Sequence, residues 1–395
     1  MNSASPVALA IFWISLAIIL YTYFVYPVVL LLLFAISQLR TDLRYLFNRV
    51  ERRTARLSDA EAPGATFVIP AHNEEKHLAA KLENLRRLGY PREKLQVVFV
   101  SDGSTDRTAD ILRGATDPWI ETVILQERGG KANALNCAVS RARHDILIFS
   151  DASTLFEPDA VQKLVRHFCN PEIGAVCGAL RFEASSESQQ TEGVYWKYES
   201  ALRLMESRLG ASLNASGAVY ALRRDAYQPL ERGVVLDDLL IPMNARRCGF
   251  WIIYDPEAVA TDYAPETIRG EFARRVRIAA GSFQALPELL RIRLGALTTF
   301  CFVSHKLLRW LLPLFLITLI VSNTLLVGRP FYATFAGLQA VFYLWAILGA
   351  ACYERLKTVR YALIGHFLVA MNLAFLVGFF RYLRNRRAIE WQRVS

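Results

Sequence analysis

Four short apolar runs in the middle of the chain each end in a polar cluster. Residues 66–69 lead into Pro70, Ala71, His72, Asn73 and Glu74, and residues 95–100 into Ser101, Asp102, Gly103 and Ser104. Residues 119–125 lead to Gly129, Gly130 and Lys131, and residues 146–149 into Ser150 and Asp151. The unbroken run 146–149 predicts a strand buried on both faces, 95–100 a second buried strand, and 66–69 and 119–125 further short apolar strands. Between 66–69 and 95–100, leucines at 78, 82, 85 and 88 have helical spacing and predict a helix over residues 76–88. Strands alternating with helices, with polar clusters at successive strand ends, predict a parallel α/β sheet of the doubly wound type. Sheets of this type bind ligands at the C-terminal strand edge, which is where Asp151 is delivered.

The pattern continues with a strand-like stretch, 219–222, preceded by Asn214, Ala215, Ser216, Gly217 and Ala218. Asp237 and Asp238 then open a helix near Leu239, either as working carboxylates or as its cap. Residues 192–208 read as a helix with Trp196 among its aromatics. Its Glu199 and Glu206 lie at helical spacing from basic residues, which predicts a solvated face.

Long apolar segments flank this core. Residues 8–36 are free of charge, and at ~1.5 Å per residue they span ~43 Å, enough for one long or tilted transmembrane helix. The arginine-rich stretch after it places the N-terminus outside and the central domain inside the cell by the positive-inside rule. Residues 289–309, with His305 and Lys306, predict an interfacial helix, and residues 310–327, 331–353 and 361–380 predict crossings. The expected organisation is a transmembrane helix (1–38), a basic linker (39–62), an α/β domain (63–288), an interfacial helix (289–309), membrane helices (310–380) and a basic tail (381–395).

Composition agrees with a mixed protein: 53% of the 395 residues are hydrophobic and 21% charged, with a mean hydropathy of +0.23. The net charge of +10 comes mostly from arginines beside the apolar segments. That placement points to anionic membrane lipids as partners, and no basic and aromatic interleaving indicates nucleic acid. The six dispersed cysteines form no CxxC pair and read as small core residues of a reduced compartment. Neither a G-x-G-x-x-G nor a Walker loop occurs, which disfavours dinucleotide and ATP-hydrolysis chemistry. Asp102 alone reads equally as a helix cap, and Lys131 as a solvated lysine.

Taken together and in order, VIPAHNEE (68–75), VSDGSTDRT (100–108), GGKANALN (129–136) and FSDAST (149–154) resemble the membrane-bound family 2 glycosyltransferases, the group of the cellulose, hyaluronan and poly-N-acetylglucosamine synthases. The resemblance implies a GT-A fold, a Rossmann-like and mostly parallel sheet, with a nucleotide-sugar donor, inversion at the anomeric carbon and a Mg²⁺ or Mn²⁺ ion. It places Pro70, Ala71, Asn73 and Glu74 around uridine, Asp102 on the base's imide and Lys131 by the diphosphate. Asp151 becomes the first acid of D-x-D and the metal ligand. Asp238 becomes the base that deprotonates the acceptor, beside Asp237, and Arg274 and Arg277 fall on the Q-x-x-R-W motif near the diphosphate.

Three departures matter. Ser153 stands where D-x-D has its second acid, and a hydroxyl is a poorer ligand for a hard cation. Arg274 replaces Gln. Ile278 replaces the Trp on which processive synthases stack the acceptor sugar, which argues against long-chain synthesis. The expectation is an inner-membrane transferase moving sugar from a UDP-sugar to a polysaccharide or lipid-linked acceptor, working among envelope assembly proteins. A catalytically silent, nucleotide-binding member of such an assembly is the alternative.

Overall fold

The computed structural model describes residues 5–48, 61–183, 189–213, 215, 217–263, 268–356, 359 and 362–384. Asn214, Ser216, residues 49–60 of the basic linker and the tail beyond residue 384 lie outside the described residues, as does the Trp196 side chain.

The central domain is built on one eight-stranded sheet in the order β3-β2-β1-β4-β7-β6-β8-β5. Its strands are β1 (Ala65–Ala71), β2 (Leu95–Asp102), β3 (Ile120–Leu125), β4 (Ile146–Phe149), β5 (Leu155–Phe156), β6 (Ile173–Glu183), β7 (Tyr220–Arg223) and β8 (Trp251–Tyr263). β1 pairs in parallel with β2 on one side and β4 on the other, so the strand order reverses there. Ligands bind at such a switch point. The sheet departs from a purely parallel pattern beyond β4, where β7 runs antiparallel between β4 and β6 and β5 antiparallel to β8.

β1, β2 and β4 are buried on both faces, whereas β3, at the edge of the sheet, is half-buried throughout; along each strand successive side chains point to opposite sides. Phe67 and Ile69 enter one core with Val97, Phe99, Ile146 and Ile148, under the helix Glu75–Arg86. Val68, Val98, Val100, Leu147 and Phe149 enter the other, with the helices Lys131–Ser140 and Asp237–Arg247. That second core extends without a break to Tyr26, Leu30, Phe302 and Trp310 of the apolar segments, which fixes the domain against the membrane helices.

Among the described residues, four helices are long and apolar enough to cross a membrane: Pro6–Arg44, Ala296–Leu326, Pro330–Ala351 and Ile364–Arg384. Residues 296–309 of the expected interfacial helix continue into one long helix, Ala296–Leu326. The amphipathic helix is Ile268–Leu289, the one that carries Arg274 and Arg277. It crosses the last span closely, and a Cβ on Gly378 would stand 2.5 Å from the Ala279 Cβ.

Two further expectations are corrected. Glu199 and Glu206 are not on a solvated face: they are 4% and 2% exposed. Glu206 Oε1 accepts from the Tyr26 hydroxyl at 2.6 Å and faces His305 Nδ1 at 2.6 Å, while Glu199 pairs with Arg309 at 2.7 Å. Helical spacing gave these acids local partners on the same helix, but tertiary packing brought in partners from two membrane helices. Their segments contain π turns, Tyr21–Val25 and Phe302–Leu307. The cysteines are all free, but only Cys177 and Cys301 are buried, while Cys169 and Cys248 are exposed.

Candidate active site

The loops after β1, β2 and β3 are tied together at the C-terminal edge of the sheet. Asn73 holds a left-handed backbone (φ 55°), uncommon for a non-glycine residue and tolerated best by Asn and Asp. Its Oδ1 accepts from the Thr105 N–H at 2.8 Å, and the Glu74 N–H donates to Thr108 Oγ1 at 2.7 Å. Pro70 and Ala71 are the last residues of β1, opposite Val100 and Ser101.

Asp102 ends β2 and is 2% exposed. Its two carboxylate oxygens accept from the Gly129 and Gly130 N–H groups, each at 2.7 Å. Each oxygen keeps a further lone pair. Gly103 (φ +58°) makes the approach possible, because a Cβ there would meet the Arg128 nitrogen at 2.5 Å. The glycine pair opens the helix that starts at Lys131.

Lys131 spans the centre of the site. Its Nζ is 2.9 Å from Asp151 Oδ1 and 3.2 Å from Asp237 Oδ2. Burial alone would lower its pKa; the Asp151 and Asp237 carboxylates more than reverse this and hold it above the usual lysine range. Asp237 is pushed up by burial, against the pull of Lys131. Asp238 is pushed up to about 6, first by burial and then by the Asp237 charge. Behind it Gly217 leaves the space: a Cβ there would lie 3.1 Å from the Asp238 Cβ.

Arg277 reaches the same acids from the amphipathic helix, feeling both Asp151 and Asp237, although burial and Arg274 lower its pKa. Arg274 is turned elsewhere, forming a two-pronged pair with Glu271 at 2.8 and 3.0 Å. The structure therefore brings Lys131, Asp151, Asp237, Asp238 and Arg277 together. Asp102 is joined to them through the glycine loop.

Two residues here were not singled out from the sequence. Lys81 is fully buried, and its Nζ donates to Ser150 Oγ at 2.7 Å and to the Thr154 carbonyl at 2.5 Å. Burial lowers its pKa to about 7, opposed by Asp151 and Asp262. Its signal was present: Lys81 lies three residues after Leu78 and one before Leu82, on the apolar stripe. Asp262, near the end of β8, is pushed up by burial and by the Asp151 charge, with the Ser153 side chain working against this. No sequence signal marks it, because only strand pairing brings β8 to the 150–154 loop.

The donor set suits a hard divalent ion held together with a diphosphate. Mg²⁺ needs only one or two carboxylates when phosphate oxygens and water complete the shell. Asp151, with its side chain 38% exposed beside Lys131, supplies one such carboxylate. Among the described residues no cluster of three His, Cys, Asp or Glu side chains offers a self-sufficient metal cage. A cavity of about 380 Å³ opens at the opposite edge of the sheet, lined by Pro63, His144 and Arg223, and none of the site residues lines it.

The sheet, its switch point and the acids at the strand ends define an α/β domain with its ligand site at the C-terminal edge of the strands. Residues 66–230 match the model of glycosyl transferase family 2, and the fold of the domain is GT-A. A poly-beta-1,6-N-acetyl-D-glucosamine synthase from Staphylococcus aureus strain COL is 28% identical over 290 residues, 71% of this chain and 64% of the synthase. The Staphylococcus epidermidis synthase is 27% identical over 235 residues, 57% of this chain and 56% of that protein. The chain thus spans less than two thirds of the length of these relatives. Among solved structures, the mannosyltransferase PcManGT from Pyrobaculum calidifontis, in complex with GDP-Man and Mn²⁺, superposes with a TM-score of 0.71 at 22% identity. That match covers 95% of this chain and 100% of the mannosyltransferase, a likeness of fold.

Proposed function

We propose that this protein is an inverting glycosyltransferase of the plasma (inner) membrane, its catalytic domain cytoplasmic. It moves a sugar from a UDP-sugar to a hydroxyl of a polysaccharide or lipid-linked acceptor, for cell-surface or exopolysaccharide synthesis. The observation that carries this reading is the convergence of Lys131 on both Asp151 and Asp237, with Asp238 adjacent, at the C-terminal edge of the sheet. The names of the staphylococcal relatives support a glycan product, and the bound GDP-Man and Mn²⁺ of the mannosyltransferase support a nucleotide sugar with a divalent ion.

In this reading Asn73, Glu74 and Asp102 hold the base and ribose, and Lys131 lets go of Asp237 to neutralise the diphosphate, with Arg277 from the other side. A Mg²⁺ or Mn²⁺ ion held by Asp151 would neutralise the departing diphosphate. Asp238 removes the proton from the acceptor hydroxyl as it attacks the anomeric carbon opposite the leaving group, and a carboxylate titrating near 6 is ionised for that task at neutral pH.

The test is release of nucleoside diphosphate from the purified full chain in nanodiscs, with a panel of UDP-sugars and GDP-mannose, in Mn²⁺, in Mg²⁺ and in EDTA. Release of UDP with one donor, lost in EDTA, is expected. Release from GDP-mannose alone would overturn the donor class. Silence with every donor in the presence of a lipid and glycan acceptor extract, while UDP still binds, would replace the enzyme with a nucleotide-binding assembly component.

A further inference from the structure

Ser153 sits where a D-x-D motif has its second carboxylate, and the fold supplies a carboxylate to that spot by another route. β5 runs antiparallel to β8 with Leu155 opposite Thr261 and Phe156 opposite Ala260. The next step of this register sets Thr154 beside Asp262, one residue from Ser153. On its other side β8 is held by β6, with Phe182 opposite Asp262. Asp262 is thus fixed between two strands at the C-terminal edge, its Oδ1 accepting from the Tyr263 N–H at 2.9 Å and its carboxylate on the side of Ser153.

The charges around it fit a cation. Asp151 and Asp262 each feel the other's carboxylate, and the buried Lys81 ammonium lies beneath the loop and interacts with both. Beside them the Thr154 hydroxyl is fully buried and has no hydrogen-bond partner, so an oxygen donor is left unspent at the same junction. Across the whole site four carboxylates (Asp151, Asp237, Asp238 and Asp262) face three cations (Lys81, Lys131 and Arg277), which leaves a negative charge that a divalent ion would neutralise.

We infer that Asp262 is the second anionic residue of the divalent-cation site, standing in from β8 for the acid that Ser153 replaces, with Ser153 as the residue that aims it. A serine that donates one hydrogen bond occupies one lone pair of the carboxylate and leaves the others for the ion. The motif's charge count is kept while its position in the sequence moves. This rests on the proposed cation-assisted binding of a nucleoside diphosphate.

The experiment measures UDP and GDP binding to the full chain in detergent, in MnCl₂ and in EDTA, together with bound Mn²⁺ by electron paramagnetic resonance. In the wild type Mn²⁺ is expected to tighten binding. In Asp262→Asn, which keeps an acceptor for Ser153, Mn²⁺ affinity is expected to fall on the order of tenfold to a hundredfold. Binding in EDTA should stay within about twofold, which shows that the fold is intact. Ser153→Asp combined with Asp262→Asn returns the acid to the motif and should restore the Mn²⁺ effect, a rescue that a mere counter-charge for Lys81 would not give. Undiminished Mn²⁺ dependence in Asp262→Asn, or no rescue by Ser153→Asp, would overturn this assignment and leave the proposed function standing. A wild type indifferent to Mn²⁺ would overturn both this assignment and the metal in the proposed function.

Discussion

Lys131 Nζ lies 2.9 Å from Asp151 Oδ1, so the residue that opens a helix after β3 is clamped to an acid two residues beyond the end of β4. The clamp crosses the point where strand order reverses. It keeps a cation ready at the place where a diphosphate would arrive, and it stops two neighbouring acids from repelling each other without compensation.

Lys131→Met should weaken UDP binding by about tenfold to a hundredfold, the worth of one charge-assisted hydrogen bond to phosphate. Calorimetric titration of UDP checks this. An unchanged affinity would mean that Lys131 only holds the acids.

Asp238→Asn should abolish transfer and spare UDP binding, since the amide cannot take the acceptor proton. In the wild type the base must be ionised, and its pKa of about 6 sets the acid limb: kcat/KM should fall by about tenfold per unit below that pH. A pH profile flat down to 5 would remove Asp238 from this role.

Lys81 makes a separable prediction about stability. Its folded pKa of about 7 lies below the ~10.4 of an exposed lysine, so between those values the unfolded chain holds more protons than the folded one. This group's contribution to stability therefore rises as pH rises through that window. Melting temperatures of the wild type and Lys81→Met, compared at pH 7 and pH 9, should move relative to each other in the wild type's favour at the higher pH. Parallel shifts would refute it.

Glu206 joins Tyr26 of the first membrane helix to His305 of the second, all three within a buried patch. Breaking a buried pair by removing one partner leaves an uncompensated polar or charged group, at a cost of about 3–5 kcal/mol. His305→Ala should lower the melting temperature in detergent markedly, and Glu206→Gln less so, because the amide still accepts from Tyr26. Equal, small effects from both would show that apolar packing alone couples domain and membrane.

Much of the fold was legible because each apolar run carries its own burial pattern. The strands around β1, β2, β3 and β4 and the helix after β1 fall within a few residues of where the sequence puts them. The apolar segments were legible by length. Glu199 and Glu206 were misplaced because local charge spacing looks the same on a solvated helix and on one whose acids meet partners from distant helices.

The sequence by itself determined the α/β class, the membrane segments and the candidates Asp102, Lys131, Asp151 and Asp238, since strand ends and loop chemistry are local properties. Only the tertiary structure decided which of them meet. The Lys131 bridge, the Asp102 grip on Gly129 and Gly130, the seat of Lys81 and the pairing of Ser153 with Asp262 all join residues far apart in the chain. A strand carries its hydrophobic period within itself, but its neighbours and register are set by the whole packed sheet, and it is register that brings a carboxylate from β8 to a serine after β4.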